Sequence, residues 1–205
     1  MADRTTDRRI IRTKRLIRDA LTELMEEKGF EGITVNELTA KADINRGTFY
    51  LHYRDKHDLL KQSEDEIIQE INEIIKAAQQ LVPIGAKNYN QQPEHFPFIV
   101  KLFEYLLENS DFMKVILGPK GDPSFQVKLK EVLRNNLLES FVKIDQKEEM
   151  MVPIEYLIAY VCSAHLGVIQ HWLESGMKKS PQDMALVLSR MTLLGPGYVA
   201  GLVNY

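Results

Sequence analysis

The stretch Ala42-Asp-Ile-Asn-Arg-Gly-Thr-Phe-Tyr-Leu-His-Tyr-Arg-Asp-Lys56 decides how the N-terminal part of this chain folds. Asn45 is a favourable helix N-cap and predicts a short helix over about 46–52. Phe49 and Tyr53 are four residues apart and share one face of that helix, which can pack on neighbouring helices. An exposed arginine, threonine, tyrosine and histidine (Arg46, Thr48, Tyr50 and His52) on one short helix are unusual for a surface that meets only water.

Two predicted helices come before this stretch. Apolar residues at Ile17, Leu21 and Met25 follow a helical period and predict a first helix over about 8–28. Thr34-Val-Asn-Glu37 is a capping box and predicts a second, short helix that stops before the turn at Asp43. A long helix, a short helix, a tight turn and another short helix make a helix-turn-helix unit with a supporting helix. Such a unit can present its last helix to a DNA major groove about 12 Å wide.

Beyond this unit, apolar residues continue to recur with the spacing of helices. Asp55 predicts the cap of a fourth helix that runs to about Gln80. A loop is predicted over 82–97, and two long apolar helices are predicted over 154–174 and 181–194, the second opened by Ser180 and a proline. No segment shows the alternation of a half-buried strand. The predicted fold class is therefore all-α, with about nine helices.

Charge is distributed unevenly along the chain. The formal net charge is −3, yet residues 1–18 hold seven basic residues against two aspartates. This concentration predicts an anionic partner at one end of the molecule. The alternative is a solvated, flexible tail. The basic residues are Arg4, Arg8, Arg9, Arg12, Lys14, Arg15 and Arg18.

Several classes of function lack their signatures in this sequence. Cys162 is the single cysteine, so no intramolecular disulfide can form, and no Cys/His metal-ligand spacing is present. There is no phosphate-binding glycine loop and no nucleophile elbow, so we expect no metal, no cofactor and no enzyme activity. We expect a soluble, cytoplasmic protein without a membrane partner, since no signal peptide or apolar stretch of about 20 residues is present.

Residues of about 10–60 resemble the DNA-binding domain of the TetR (tetracycline repressor) family of bacterial regulators. The similarity is carried by Ile33-Thr-Val-Asn-Glu-Leu38, by the stretch 42–56 quoted above, and by Leu59-Leu60. Two positions depart from the family pattern. Asp43 stands where the family usually has glycine, and Thr39 stands where it often has alanine. Asp43 also places a negative charge near the predicted DNA face.

The resemblance implies which residues face DNA. Arg46 would pair with a guanine edge through its forked guanidinium group, while Thr48 and Tyr50 would hold phosphates. Thr34 and Lys56 lie at helix starts, where backbone N–H groups also favour phosphate. The alternative for Tyr50 and His52 is a half-buried packing role. The complete predicted DNA-binding set is Thr34, Asn45, Arg46, Gly47, Thr48, Tyr50, Leu51, His52 and Lys56.

The segment Tyr160–Met177, followed by Ser180-Pro181, resembles the C-terminal domain of a subgroup of this family that is common in Firmicutes. The resemblance implies a helix-turn-helix DNA-binding domain over 1–54 and a helical effector-binding and dimerisation domain over 55–205. It also implies that helices 154–174 and 181–194 pair with those of a second copy. The alternative is that they form only the core of one chain. The predicted dimer interface consists of Ile158, Val161, Ile169, Trp172, Val187, Leu188 and Met191.

The C-terminal half is rich in aromatic residues, which predicts an apolar pocket for a small-molecule effector. The alternative is ordinary core packing. The function that follows is a ligand-responsive transcriptional regulator, a repressor that binds a palindromic operator in double-stranded DNA as a homodimer and is released by an unidentified small molecule. An activator, or a co-activator that acts through a protein partner, is the other possibility. The predicted pocket residues are Phe103, Phe112, Phe125, Phe141, His165 and Trp172.

Overall fold

The computed structural model describes residues 2–81, 97–142 and 150–202, without the side chains of 2–7, 78–81, 97 and 140–142. Across these ranges the regular structure is helical and includes no strand, which confirms the all-α prediction. None of the helices described there is both long and apolar enough to cross a membrane. The helices are α1 (Ala2–Lys28), α2 (Val35–Lys41), α3 (Arg46–Tyr50), α4 (Lys56–Leu81), α5 (Pro97–Glu108), α6 (Ser110–Leu117), α7 (Pro123–Val142), α8 (Ile154–Glu174) and α9 (Pro181–Val199).

Two helix ends differ from the sequence prediction. α1 begins at Ala2, about two turns earlier than the apolar period indicates, since polar residues can extend a helix without leaving a periodic signal. α3 ends at Tyr50, two residues earlier than predicted, with Leu51 as its C-cap. The predicted end near 194 is present as a break at Gly195, whose φ of 75° is not helical, and a further helical stretch within α9 continues to Val199.

One compact unit comprises Met1–Ile67 together with Asp111–Phe125. Its core gathers apolar side chains from α1, α2, α3 and α4, all of them fully buried. Burial of each such side chain contributes roughly 1.5–3 kcal/mol, so the short α3 is held mainly by packing and not by its own length. The principal core residues are Ile17, Leu21, Met25, Leu38, Phe49 and Leu59.

Side-chain caps fix where the helices of this unit begin. Thr34 and Glu37 form the predicted capping box, with Glu37 N donating to Thr34 Oγ1 at 3.3 Å and Thr34 N donating to Glu37 Oε2 at 2.9 Å. Asn45 Oδ1 accepts from Thr48 N at 2.8 Å. Asp55 Oδ1 accepts from Asp58 N at 2.8 Å. The sequence therefore located all three caps correctly.

The second compact unit comprises Ile68–Ser110 and Gln126–Tyr205. Within it α5 packs against α9, and Phe103 contacts Trp172 edge to face with ring centroids 5.1 Å apart. Trp172 Nε1 donates to the carbonyl of Lys179 at 3.0 Å, so this buried indole is satisfied. Ser180 caps α9 with Asp183, as predicted. The predicted domain division after residue 54 stays a prediction.

Candidate nucleic-acid interface

The inner face of α3 anchors the candidate interface. Phe49 and Tyr53 are buried, and their ring centroids lie 5.7 Å apart. Burial raises the pKa of the Tyr53 hydroxyl to about 12, so this group stays neutral. The prediction that both residues belong to the core is confirmed. The outer face of α3 is thereby held in a fixed orientation.

The outer face presents Arg46 and Tyr50 together. Arg46 Nη2 donates a hydrogen bond to the Tyr50 hydroxyl at 3.1 Å, and the guanidinium carbon lies 5.7 Å from the centre of the Tyr50 ring. Tyr50 is 49% exposed and Leu51 is 82% exposed. Thr48 and His52 are half-buried. Tyr50 is therefore not the half-buried packing residue that the alternative interpretation suggested. His52 is half-buried, so that interpretation fits His52.

Gly47 occupies a position where a side chain would disturb the helix cap. A Cβ atom at this residue would lie 3.1 Å from Asn45 Oδ1, the oxygen that caps α3. The absence of a side chain also leaves the backbone of α3 open to close approach by a partner. Glycine at this position thus leaves the Asn45 cap undisturbed and keeps the outer surface of α3 open.

The two departures from the family pattern are both accommodated locally. Asp43 adopts a left-handed conformation with φ 51°, which aspartate tolerates better than most residues. Its side chain is exposed beside the turn. Thr39 is buried, and its hydroxyl donates to the carbonyl of Asn36 at 3.1 Å. The hydroxyl that threonine adds relative to alanine is therefore satisfied within α2.

Thr34 and Lys56 are occupied by contacts within the protein. The Thr34 hydroxyl donates to Glu37 Oε2 at 2.8 Å. Lys56 Nζ donates to the carbonyls of Phe30 at 3.2 Å and Glu31 at 2.9 Å, and it lies 4.8 Å from the centre of the Phe30 ring. Lys56 thus ties the start of α4 to the segment that follows α1. Contact of either side chain with phosphate stays a prediction.

Arg54 is an exposed cation that the sequence analysis did not select. Its side chain is 87% exposed and lies between α3 and α4 in the sequence. Its Nη2 is 3.4 Å from Asp58 Oδ1, and its backbone N–H donates to Asp58 Oδ2 at 2.9 Å. These bonds lower the pKa of Asp58 and keep it ionised. Arg54 is a cation inside the stretch 42–56 that carries the resemblance to a DNA-binding domain, and this position was the sequence signal that could have identified it.

The predicted pocket residues divide between the two compact units. Phe103 and Trp172 contact each other in the second unit, whereas Phe112 and Phe125 are buried in the first. The side chain of Phe141 lies outside the described residues. His165 Nε2 lies 2.9 Å from Thr192 Oγ1, and burial lowers the pKa of His165 to about 4. His165 is consequently neutral near pH 7.

The predicted dimer interface requires a correction. Ile158, Ile169, Trp172 and Leu188 are buried by the chain itself, so they form its own core and cannot present a surface to a second copy. Their apolar period indicated that these side chains are buried, but it could not indicate whether the same chain or a second copy buries them. Val161, Val187 and Met191 are only half-buried. The side of α8 that faces away from the core instead exposes Tyr156, Tyr160, Ser163, Gly167 and His171.

Sequence profiles of known families match both parts of the chain. The profile described as "Bacterial regulatory proteins, tetR family" matches residues 17–62. A TetR C-terminal profile, described as "Transcriptional regulator C-terminal region", matches residues 94–193. The chain belongs to the TetR family. TetR-family proteins are transcriptional regulators, and this one is a DNA-binding regulator and not an enzyme.

Two transcriptional regulators and one solved structure are similar to this chain. A transcriptional regulator of Bacillus subtilis, YxbF, is 38% identical over 60 residues, which is 29% of this chain and 16% of that protein. The regulator AcrR of Shigella flexneri is 22% identical over 209 positions, covering 94% of this chain and 95% of that protein. The structure of FadR from Bacillus subtilis, in complex with stearoyl-CoA, has a TM-score of 0.55 at 16% identity and covers 88% of this chain and 97% of that one. At that identity, the FadR structure supports the fold alone.

Proposed function

We propose that this TetR-family regulator represses transcription by binding a palindromic operator as a homodimer, and that a small molecule lowers its affinity for DNA. The observation that carries the proposal is the Arg46–Tyr50 pair on the outer face of α3. A hydrogen bond to the Tyr50 hydroxyl and the nearby ring favour one orientation of this guanidinium before any partner arrives. Because its position is fixed in advance, less side-chain entropy is lost when it binds.

Each exposed residue of α3 has a role in this proposal. Arg46 donates two hydrogen bonds to O6 and N7 of a guanine, the most specific pairing available to arginine in the major groove. Leu51, which is 82% exposed, contacts a thymine methyl group. The Tyr50 hydroxyl still has its hydrogen to donate to a phosphate, and Arg54 binds the backbone beside it. Gly47 admits the DNA close to the helix.

We infer a homodimer because α3, the helix proposed to contact the bases, is short. α3 has five residues and can cover only a few base pairs, whereas two copies spaced about 34–36 Å apart read two half-sites. The outward side of α8 offers a surface for pairing, because Tyr156 and Tyr160 are exposed on it. A Cβ atom at Gly167 would meet nothing within 4 Å in the single chain. Another helix can therefore approach closely at Gly167.

Release by a small molecule is supported by the C-terminal family profile and by the chemistry of the second unit. The relative FadR is described as a complex with stearoyl-CoA, so a protein of this fold holds a small-molecule ligand. In this chain Phe103 and Trp172 supply apolar area, and neutral His165, whose Nε2 is bonded to Thr192, has its other ring nitrogen left for a polar contact. An effector that binds there needs to change DNA affinity by only about 1–3 kcal/mol to act as a switch.

Selection from a pool of randomised duplex DNA, followed by gel shifts at one fixed salt concentration, tests the proposal. The wild-type chain is expected to enrich an inverted repeat. Arg46→Ala is expected to lose the preference for that repeat, while Arg190→Ala, which removes an exposed arginine on α9, retains it. Failure to enrich any sequence, or equal preference in Arg46→Ala and wild type, would contradict the proposal. A co-activator that acts through a protein partner would give the first of these results.

The direction of regulation needs a separate measurement. A reporter gene placed behind the selected operator is expected to be silenced when the wild-type chain is present, and to stay active with Arg46→Ala. Higher reporter activity with wild type than with Arg46→Ala would instead assign the chain as an activator. Both outcomes depend on the same DNA contact, so they separate the sign of regulation from DNA binding itself.

A further inference from the structure

The first half of α1 forms an arginine-rich arm outside the core. α1 begins at Ala2, and the first buried side chain described along it is Ile17, where the TetR-family profile also begins. Residues 8–16, called the basic arm below, belong to the first compact unit, but their side chains are exposed or only half-buried. At 1.5 Å per residue, the nine residues of the basic arm rise about 13 Å along the helix axis. The arginines exposed on the arm are Arg8, Arg9, Arg12 and Arg15.

The arginines of the basic arm lie mainly along one side of the helix. Arg8, Arg12 and Arg15 are spaced four and three residues apart, so they share a face. That face is opposite the one that continues into the core through Ile17 and Leu21, which are both fully buried. The guanidinium groups are therefore directed away from the protein to which the arm is attached.

Lys14 of the basic arm pairs with Glu66 of α4 at 2.9 Å, but the charges of the arginines in the arm are poorly compensated within the protein. Among the side chains that the structure describes, none is a carboxylate partner of Arg8, Arg9 or Arg12. Arg15 has Asp19 at 3.8 Å, but both side chains are more than half exposed, and such pairs contribute little. Like charges four residues apart destabilise an isolated helix. A polyanion along this face would remove that repulsion.

The distribution of apolar residues on the basic arm favours nucleic acid over a membrane surface. Binding flat on a lipid surface requires one continuous apolar face opposite the charges. Ile10, Ile11 and Leu16 are exposed, but helical spacing places them on different sides of α1. Duplex DNA needs no such face, because it carries a negative charge about every 1.7 Å along its axis.

We propose that the basic arm binds phosphates of the DNA that flanks the operator, beyond the base pairs read by α3. This proposal rests on the proposed function, because it assumes that α3 holds the protein on duplex DNA. The basic arm, about 13 Å long, spans about four base pairs of backbone at 3.4 Å per base pair. Contacts of this kind add affinity that is sensitive to salt and independent of sequence. The arm would lengthen the footprint without changing the operator sequence.

The test compares wild type with a variant in which Arg8, Arg9, Arg12 and Arg15 are all changed to Gln. Fluorescence anisotropy measures binding to the selected operator, once with about ten extra base pairs on each side and once trimmed to the repeat. We expect at least tenfold weaker binding of the variant to the long duplex at low salt, and nearly equal binding to the trimmed one. The slope of log K against log salt should fall by about 0.9 for each phosphate that the variant no longer neutralises.

Two further variants separate arm contacts from overall charge. Changing the same four arginines to Lys keeps the positive charges and should restore most of the affinity for the long duplex. Changing Lys101, Lys178, Lys179 and Arg190 to Gln removes four exposed charges elsewhere and should leave the dependence on flank length intact. Circular dichroism checks that each variant is folded. An unchanged salt slope and unchanged flank dependence in the four-Gln arm variant would overturn the proposal.

A vesicle experiment tests whether the basic arm binds a membrane surface instead of DNA. Vesicles of phosphatidylglycerol and phosphatidylcholine are sedimented with the wild-type chain and with the four-Gln arm variant. We expect no dependence of vesicle binding on the arm. If wild type binds vesicles through the arm while flank dependence on DNA is absent, the proposal is wrong and the arm binds membranes. Arg46→Ala should lose operator preference in either case, so failure of the arm proposal is distinguishable from failure of the proposed function.

Discussion

Arg46 Nη2 donates to the Tyr50 hydroxyl at 3.1 Å, one turn further along the same short helix. Tyr50→Phe keeps the ring beside the guanidinium and removes the hydroxyl, which is both the acceptor for Arg46 and the proposed donor to a phosphate. We expect operator affinity to fall at least about fivefold, since a net hydrogen bond is worth about 1 kcal/mol. In a double-mutant cycle with Arg46→Ala, the two effects should add only in part, because the share of the loss that acts through Arg46 disappears, and anisotropy titrations at fixed salt measure the coupling. Additive effects would mean that the two side chains act separately on DNA.

Asp43 is a site where both stability and DNA affinity can be raised. Its φ of 51° is favourable for glycine, so Asp43→Gly should raise the free energy of unfolding by roughly 0.5–1 kcal/mol. Removing the exposed carboxylate should also strengthen DNA binding at low salt. Asp43→Asn is the matched control, because it removes the charge and retains a side chain that tolerates this conformation. Urea unfolding that shows lower stability for Asp43→Gly would contradict the prediction.

Asn45 couples the start of α3 to DNA binding. Its Oδ1 accepts from Thr48 N at 2.8 Å and from the Thr48 hydroxyl at 3.1 Å. Asn45→Ala should lower the free energy of unfolding by about 1 kcal/mol, whereas Asn45→Ser should keep most of the cap. Asn45→Asp should keep the stability and weaken DNA binding by adding a negative charge. Thermal unfolding combined with gel shifts checks the series, which would fail if Asn45→Ala were as stable as Asn45→Ser.

His165 should make the protein less stable in mild acid. Burial lowers its pKa from 6.5 to about 4, so between these values the unfolded chain binds a proton that the folded chain does not. The free energy of unfolding therefore decreases as pH falls from about 6.5 to 4, by up to about 3 kcal/mol from this residue. His165→Gln removes this contribution and can still hydrogen bond with Thr192. Denaturation curves of both proteins across this range give the difference, and parallel pH profiles would refute the assignment.

Gly167 offers a test of the homodimer. A Cβ atom there meets nothing within 4 Å in the single chain, so Gly167→Arg should fold normally. If the outward side of α8 pairs with a second copy, the added side chain should convert the dimer to a monomer in light scattering. Val127→Arg is the control, because Val127 is also an exposed apolar residue but lies on α7. A Gly167→Arg variant that remains a dimer would place the interface elsewhere.

Local sequence signals were sufficient for most of the helices near the candidate interface. The caps at Thr34, Asn45 and Asp55 act over three residues, so the sequence displays both partners of each bond. The burial of Phe49 and Tyr53 followed from their spacing on one helix face. The start of α1 at Ala2 did not follow, because its first residues are polar and give no periodic signal.

Residues distant in the sequence were harder to assign. The contact of Lys56 with phosphate stays a prediction, but its bonds to the carbonyls of Phe30 and Glu31, about 25 residues earlier in the chain, could not be foreseen from the sequence. Ile158 and Leu188 have the apolar period of an interface, but the chain covers both itself. An apolar stripe indicates that a face is buried and does not identify the element that buries it.

By itself, the sequence determined the all-helical fold, the helix-turn-helix caps, the family, and the arginine-rich start of the chain. These properties depend on composition or on partners within about four residues of each other, where helix geometry permits few alternatives. Only the three-dimensional structure decided which rotamers bring Arg46 to the Tyr50 hydroxyl, that Lys56 is engaged with the segment after α1, and which faces of α8 remain exposed. Those outcomes depend on side-chain rotamers and on packing between elements, which local sequence does not fix.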